Sequence, residues 1–83
     1  MKTDKQNAIV TQMKGEREVN PEMNMTDAQI GDFTADVFYE MENGKSLEKA
    51  LVDQLKGERE VNPEMNMTDA QIGDMVADIV ETS

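Results

Sequence analysis

Oxygen-bearing side chains recur at a regular spacing in the segment that joins two apolar stretches of the chain. Counted from Glu16, they stand at places 1, 3, 5, 7, 9 and 12, and the same spacing returns from Glu58. Carboxylate and amide oxygens are hard ligands, of which calcium prefers roughly six to eight. The pattern therefore offers one chemical hypothesis, a pair of divalent-ion sites. Its candidate ligands are Glu16, Glu18, Asn20 and Asp27 in the first segment, and Glu58, Glu60, Asn62 and Asp69 in the second.

This spacing, set between two predicted helices, resembles the ligand pattern of an EF-hand calcium loop written twice in tandem. The sequence departs from that pattern at place 6, where Pro21 and Pro63 replace the glycine that the family uses for a sharp turn. An extended segment with one polar and one apolar face produces the same alternation without any ion. We therefore favour a solvated face and expect no metal or cofactor, with calcium binding as the alternative function.

The chain repeats itself over nearly half its length. Residues 14–32 and 56–74 are identical, and the correspondence continues at the same 42-residue offset from Ala35–Asp36 to Ala77–Asp78. The pattern is that of a tandem duplication. It predicts a single domain over residues 1–83, with repeat unit one at 3–43 and repeat unit two at 45–83.

Each unit carries the local signals of a helix, a loop and a second helix. Thr3 and Ser46 are suitable N-caps for the two first helices, and Gly15 and Gly57 are read as their ends. Apolar residues at helical spacing follow the caps. They are Ile9, Val10 and Met13 in unit one, and Leu47, Ala50, Leu51 and Leu55 in unit two.

The sequence "MTDAQI" predicts the start of the second helix in each unit. Thr26 and Gln29 have the spacing of a capping box, and Met25 and Ile30 that of a hydrophobic staple. Apolar stripes follow in both units. They consist of Ile30, Phe33, Val37, Phe38 and Met41, and of Ile72, Met75, Val76, Ile79 and Val80.

These elements predict an all-α fold, a tandem helix–loop–helix that forms a compact four-helix unit with pseudo-two-fold symmetry. Gly31 and Gly73 lie inside the second helices, where glycine weakens a helix. Either they are tolerated residues that the duplication copied, or the two helices cross closely there. The connectors, residues 16–24 and their repeat, are expected to be extended and to pair with each other briefly.

Charge, hydropathy and composition argue against several classes of function. Eighteen acidic and eight basic residues give a net charge of −10, which disfavours direct binding to nucleic-acid phosphates or anionic lipid. No apolar run approaches the ~18–20 residues of a membrane span, so we expect a cytoplasmic protein that does not bind membranes. Histidine and cysteine are absent, and no nucleophile–base set is evident, so we expect no enzyme activity.

The remaining signal is the segregation of acidic residues onto the second helices, which contain no base. Asp32, Asp36 and Glu40 lie four residues apart, and Asp74 and Asp78 repeat part of the row. Tyr39 stands beside these acids and away from the apolar stripe. The sequence thus predicts a non-enzymatic regulator or inhibitor that presents acidic helices to a basic protein surface, with mimicry of nucleic acid as its specific form. Solubility alone, a structural assembly role and homodimerisation are the other readings of this pattern.

Overall fold

The computed structural model describes residues 4–82 and shows four helices, with no strand among these residues. The all-α expectation is confirmed. The described chain measures 28 × 23 × 21 Å along its principal axes. The helices are α1 (Asp4–Val19), α2 (Asp27–Glu42), α3 (Leu47–Val61) and α4 (Asp69–Thr82).

The helix starts follow from local capping, as the sequence predicts. The backbone N–H of Gln29 donates to Thr26 Oγ1 at 3.1 Å, and the N–H of Thr26 donates to Gln29 Oε1 at 2.8 Å, which completes the capping box. Thr68 and Gln71 form the same two bonds at the start of α4. Ser46 caps α3 by accepting from the N–H of Lys49 at 3.2 Å. The predicted cap Thr3 lies outside the described residues.

The predicted ends of the first helices are wrong. Both helices continue through Gly15 and Gly57, to Val19 and Val61. Neither glycine has a positive φ, so each takes part in the helix as an ordinary residue. The chain leaves the helix only before an Asn–Pro pair, because proline disfavours helical backbone in the residue that precedes it.

The turn between α2 and α3 is where a glycine is required. Gly44 has φ +102°, the left-handed region that side-chain-bearing residues rarely adopt. The N–H of Gly44 donates to the carbonyl of Met41 at 3.1 Å, and that of Lys45 to the carbonyl of Glu40 at 3.2 Å. This pair of bonds is a Schellman motif, which satisfies the last carbonyls of α2 and turns the chain toward α3.

The four helices pack in a ring. Helix α1 contacts α2 and α4, and α3 contacts the same two helices. Among the described residues, no Cα of α2 comes within 8 Å of a Cα of α4, so these helices occupy opposite corners of the bundle. The predicted crossing at Gly31 and Gly73 is therefore wrong. A Cβ added at Gly73 would meet no atom within 4 Å, in keeping with its position on the outside.

The core is shared by all four helices and by both connectors. The predicted stripes supply most of it, with Phe38 and Met41 half-buried and Val80 exposed at 37%. The connector methionines Met23 and Met65 are buried as completely as Leu55. Methionine suits such irregular gaps because its side chain is unbranched and flexible. The remaining buried connector residues are Met25 and Met67.

The connectors are shorter than predicted, because residues 16–19 belong to α1. They also begin with a turn instead of an extended segment, since the N–H of Met23 donates to the carbonyl of Asn20 at 2.9 Å and that of Met65 to the carbonyl of Asn62 at 3.0 Å. The two connectors nevertheless meet. The N–H of Asn66 donates to the carbonyl of Glu22 at 2.7 Å. Asn24 Nδ2 donates to Glu64 Oε2 at 3.3 Å, and the amide of Gln71 donates to Asn20 Oδ1 at 3.4 Å. These bonds join the first helix pair, α1 and α2, to the second, α3 and α4, at one end of the bundle.

Candidate protein-binding surface

Arginine side chains tie each helix pair together and neutralise the acid at the start of its second helix. Arg17 Nη1 donates to the carbonyl of Met25 at 3.0 Å and lies 2.7 Å from Asp27 Oδ1. The hydrogen bond from Arg17, helped by the charge of Lys14, lowers the pKa of Asp27. Arg59 makes the corresponding contacts, and its hydrogen bond lowers the pKa of Asp69.

A third cation sits between α2 and α3. Lys45 Nζ lies 3.0 Å from both Glu40 Oε1 and Asp53 Oδ2. The hydrogen bonds that Lys45 donates to these carboxylates, that to Asp53 first, raise the pKa of Lys45. Glu40, which the sequence places in the partner-binding row, is therefore half-buried and engaged within the protein.

The other predicted acids of α2 carry no such partner. Within the described residues, every ion pair of 4 Å or less is made by Asp27, Glu40, Asp53 or Asp69. Asp32 and Asp36 are exposed and stand outside that set. Their charges face solvent, and none of the bases in residues 4–82 forms an ion pair with them.

Helix α3 adds a further carboxylate to this surface. Partial burial of Glu58 raises its pKa, and the negative charges of Asp36 and Asp32 raise it further. Since like charges repel only at short range in salt solution, these three carboxylates form one acidic surface across α2 and α3. We call Asp32, Asp36 and Glu58 the α2/α3 acidic surface.

A related grouping occurs on the other side of the bundle. Burial raises the pKa of Glu16 on α1, and the charge of the neighbouring Asp78 on α4 raises it further. Asp74 is exposed one turn before Asp78 on the same helix. Glu16, Asp74 and Asp78 are the α1/α4 acidic surface.

The two acidic surfaces face away from each other. Helices α2 and α4 stand at opposite corners and both turn their apolar stripes toward the common core. Their outer faces therefore point in opposite directions, and the two rows of aspartates do not combine into one continuous face.

Tyr39 is exposed at 68% on the outer side of α2, where the sequence predicts an unburied ring. It lies one turn beyond Asp36, so a partner that contacts the acids reaches this ring as well. Repeat unit two has Glu81 at the matching position and offers no aromatic side chain there.

The sequence pattern offers Glu16 and Glu58 only as weak candidates for calcium loops, and it does not place them beside the aspartates of the second helices. The helix ends that it predicts stop short of both residues, whereas in the structure both lie within helices. The signal that could have placed these glutamates inside helices is Pro21 and its repeat Pro63, because each helix ends two residues before its proline and three residues after its glutamate.

The candidate calcium ligands do not share one loop. Glu16 and Glu18 lie on α1, Glu58 and Glu60 lie on α3, and Asp27 faces Arg17. In the part of the chain that the structure describes, no three acidic, histidine or cysteine side chains are grouped so as to hold a metal ion. The remaining candidates already have partners within the protein. Asn20 accepts a hydrogen bond from Gln71, Asn62 accepts one from the backbone N–H of Glu64, and Asp69 accepts one from Arg59.

Comparison of the chain with protein-family models, with curated proteins and with solved structures gave no match. Within residues 4–82, no helix combines the length and the apolar character that crossing a membrane requires.

Proposed function

We propose that this chain is a small, non-enzymatic protein-binding module, a regulator or inhibitor that presents acidic helices to a basic partner in the cytoplasm. The observation that carries the proposal is the α2/α3 acidic surface. Its three carboxylates come from two helices, repel one another, and have no base within ion-pairing distance among the described residues. The basic residues that form ion pairs in the described part of the chain do so with Asp27, Glu40, Asp53 and Asp69.

The cost of this arrangement argues against solubility as its only role. Acids spread over the surface would keep the protein soluble, whereas acids gathered together reduce the stability of the fold. A basic partner relieves that repulsion on binding, and this relief contributes to the affinity of the complex. Electrostatic complementarity of this kind also speeds association.

Mimicry of nucleic acid is the specific form that we propose. Residues four apart on a helix are separated by about 6 Å along its axis, while duplex DNA carries one charge per ~1.7 Å when both strands are counted. One row of aspartates is therefore too sparse by itself. Glu58 makes the α2 row denser, and Glu16 does the same beside Asp78.

We further propose that the two repeat units are related by a pseudo-two-fold axis, which makes the α1/α4 acidic surface a second site for the same kind of partner. The paired contacts of Arg17 with Asp27 and of Arg59 with Asp69 support this relation. So does the cross-pairing of acids, in which Glu58 meets Asp36 and Glu16 meets Asp78.

Affinity capture with a competitor tests the proposal. The parent chain is immobilised, host extract is applied at low salt, and the column is washed first with a short DNA duplex and then with high salt. The proposal expects basic, nucleic-acid-binding proteins in the duplex wash. Retention of acidic or neutral proteins that neither duplex nor salt releases would contradict it.

A further inference from the structure

We infer that the surface through which the two helix pairs meet also binds a second copy of this chain, by exchange of α3–α4 between two molecules. In the resulting dimer, α1–α2 of each chain packs against α3–α4 of the other. Each half of the dimer then reproduces the bundle seen within one chain. This inference does not depend on the proposed function.

Neither helix pair closes a core by itself. Buried residues from both pairs form one cluster, and the methionines of the two connectors lie in it together. Hydrogen bonds cross between the pairs, and two of those among the described residues join the connectors: Asn66 to Glu22 and Asn24 to Glu64. Each pair therefore needs a partner pair, and the contacts are the same whichever chain supplies it.

A second copy of the chain carries the same interface. The connectors and helix starts that meet at this interface fall within the two identical segments, residues 14–32 and 56–74. The α3–α4 pair of any other copy therefore offers a free α1–α2 pair the same surface that it packs against within its own chain.

A single short turn holds the pairs of one chain together. Residues 43–46 join α2 to α3, and the turn depends on the φ of +102° at Gly44. Exchange requires only that this turn open, because every contact outside it is remade in the dimer. Such turns are the points at which exchange between identical molecules is controlled.

A matched pair of glycine substitutions tests the control by the turn. Gly44→Ala places a side chain at a positive φ, which strains the closed turn, whereas Gly57→Ala adds a methyl group in open space within a helix. Since each dimer opens two turns, the dimerisation constant of Gly44→Ala should exceed that of the parent by about tenfold or more. Gly57→Ala should leave it unchanged, as measured by analytical ultracentrifugation after refolding at high concentration.

Cross-linking distinguishes exchange from association of closed bundles. The chain contains no cysteine, so Asn24→Cys and Glu64→Cys can be introduced into separate chains. These two side chains touch within one bundle, at 3.3 Å. When the two variants are unfolded together and refolded at high concentration, a short bismaleimide should join them into a covalent heterodimer. The same variants mixed without unfolding should give none, because exchange requires the turn to open.

The results that would overturn the inference are definite. Absence of the covalent heterodimer from the refolded mixture contradicts exchange, even if a dimer sediments. A dimerisation constant for Gly44→Ala equal to that of Gly57→Ala contradicts control by the turn. Should Gly44→Ala fail to fold, the cross-linking of the two cysteine variants decides the question alone.

Discussion

Removal of the charge on Glu58 should stabilise the folded chain at neutral pH. In the structure this carboxylate is partly buried and faces the negative charges of Asp36 and Asp32, which together raise its pKa above the ordinary value of 4.5. Glu58→Gln keeps the size of the side chain and removes both the repulsion and the desolvation of a charge. A pair of like charges on a protein surface costs a few tenths of a kcal/mol, and solvent screens it.

The two repulsions and the partial burial together predict a gain of about 0.5–1 kcal/mol at pH 7. For a chain of this length, that corresponds to a rise in melting temperature of about 2–6 °C. Thermal unfolding followed by circular dichroism measures it. Glu60→Gln is the matched control, because Glu60 lies in the same last turn of α3 and is exposed, so any effect of the helix dipole is common to both variants.

The pH dependence gives this prediction a second check. A carboxyl whose pKa is raised on folding destabilises the protein where it is ionised, and stability rises as pH falls through the window just above 4.5. The advantage of Glu58→Gln should therefore shrink across that window and disappear below it, where Glu58 is protonated in both states. An equal gain from Glu60→Gln, or a gain that persists at acid pH, would refute the electrostatic reasoning.

Three further predictions concern the scaffold and the connectors. Arg59→Ala should lower the free energy of unfolding by about 1 kcal/mol in urea, chiefly through the lost hydrogen bond to Met67; an unchanged midpoint would show that this arginine does not tie the helix pair. Because Arg59 lowers the pKa of Asp69, the contribution of that pair should be present above the ordinary value of 3.8 and be lost as pH falls through the folded-state pKa. Leu55→Ala should lower the free energy of unfolding, measured by thermal unfolding, by about 2–5 kcal/mol. Val61→Ala, at a position exposed at 77%, should change the same free energy by less than about 0.5 kcal/mol. Similar losses in the two variants would contradict the assignment of Leu55 to the core. Calorimetric titration with millimolar calcium should give no binding heat and no rise in melting temperature, and two ions bound per chain would restore the calcium hypothesis.

The starts of the helices and most of the core could be predicted from the sequence because they are local. The capping box at Thr26 and Gln29 uses residues three apart, and the periodicity of Ile30, Phe33 and Val37 identifies a buried face. Such signals do not depend on what packs against the helix.

The remaining features depend on contacts that no local pattern contains. A glycine after a lysine is compatible with both a helix end and a helix interior, and only the continuation to Val19 shows which applies. Which helices become neighbours is likewise decided by the whole core, so the predicted contact of α2 with α4 was wrong. Glu58 joins the acids of α2 for the same reason, since α3 packs beside that helix.

The most direct test of the proposed function is charge reversal on the α2/α3 acidic surface. Asp32→Lys combined with Asp36→Lys should preserve the fold, because both side chains are exposed, and should relieve the repulsion on Glu58. Glu18→Lys combined with Glu48→Lys is the control, with the same change in net charge at exposed positions outside that surface.

The affinity of each variant for a captured basic partner is then measured by fluorescence anisotropy over a range of salt concentrations. The parent and the control should bind, and the affinity of both should fall as salt rises, whereas the Asp32→Lys, Asp36→Lys variant should not bind. Exposed charges are screened over about 8–10 Å near physiological ionic strength, so the decline should be evident in that range. Equal affinity of all three proteins, or binding that does not change with salt concentration, would show that the α2/α3 acidic surface does not bind the partner.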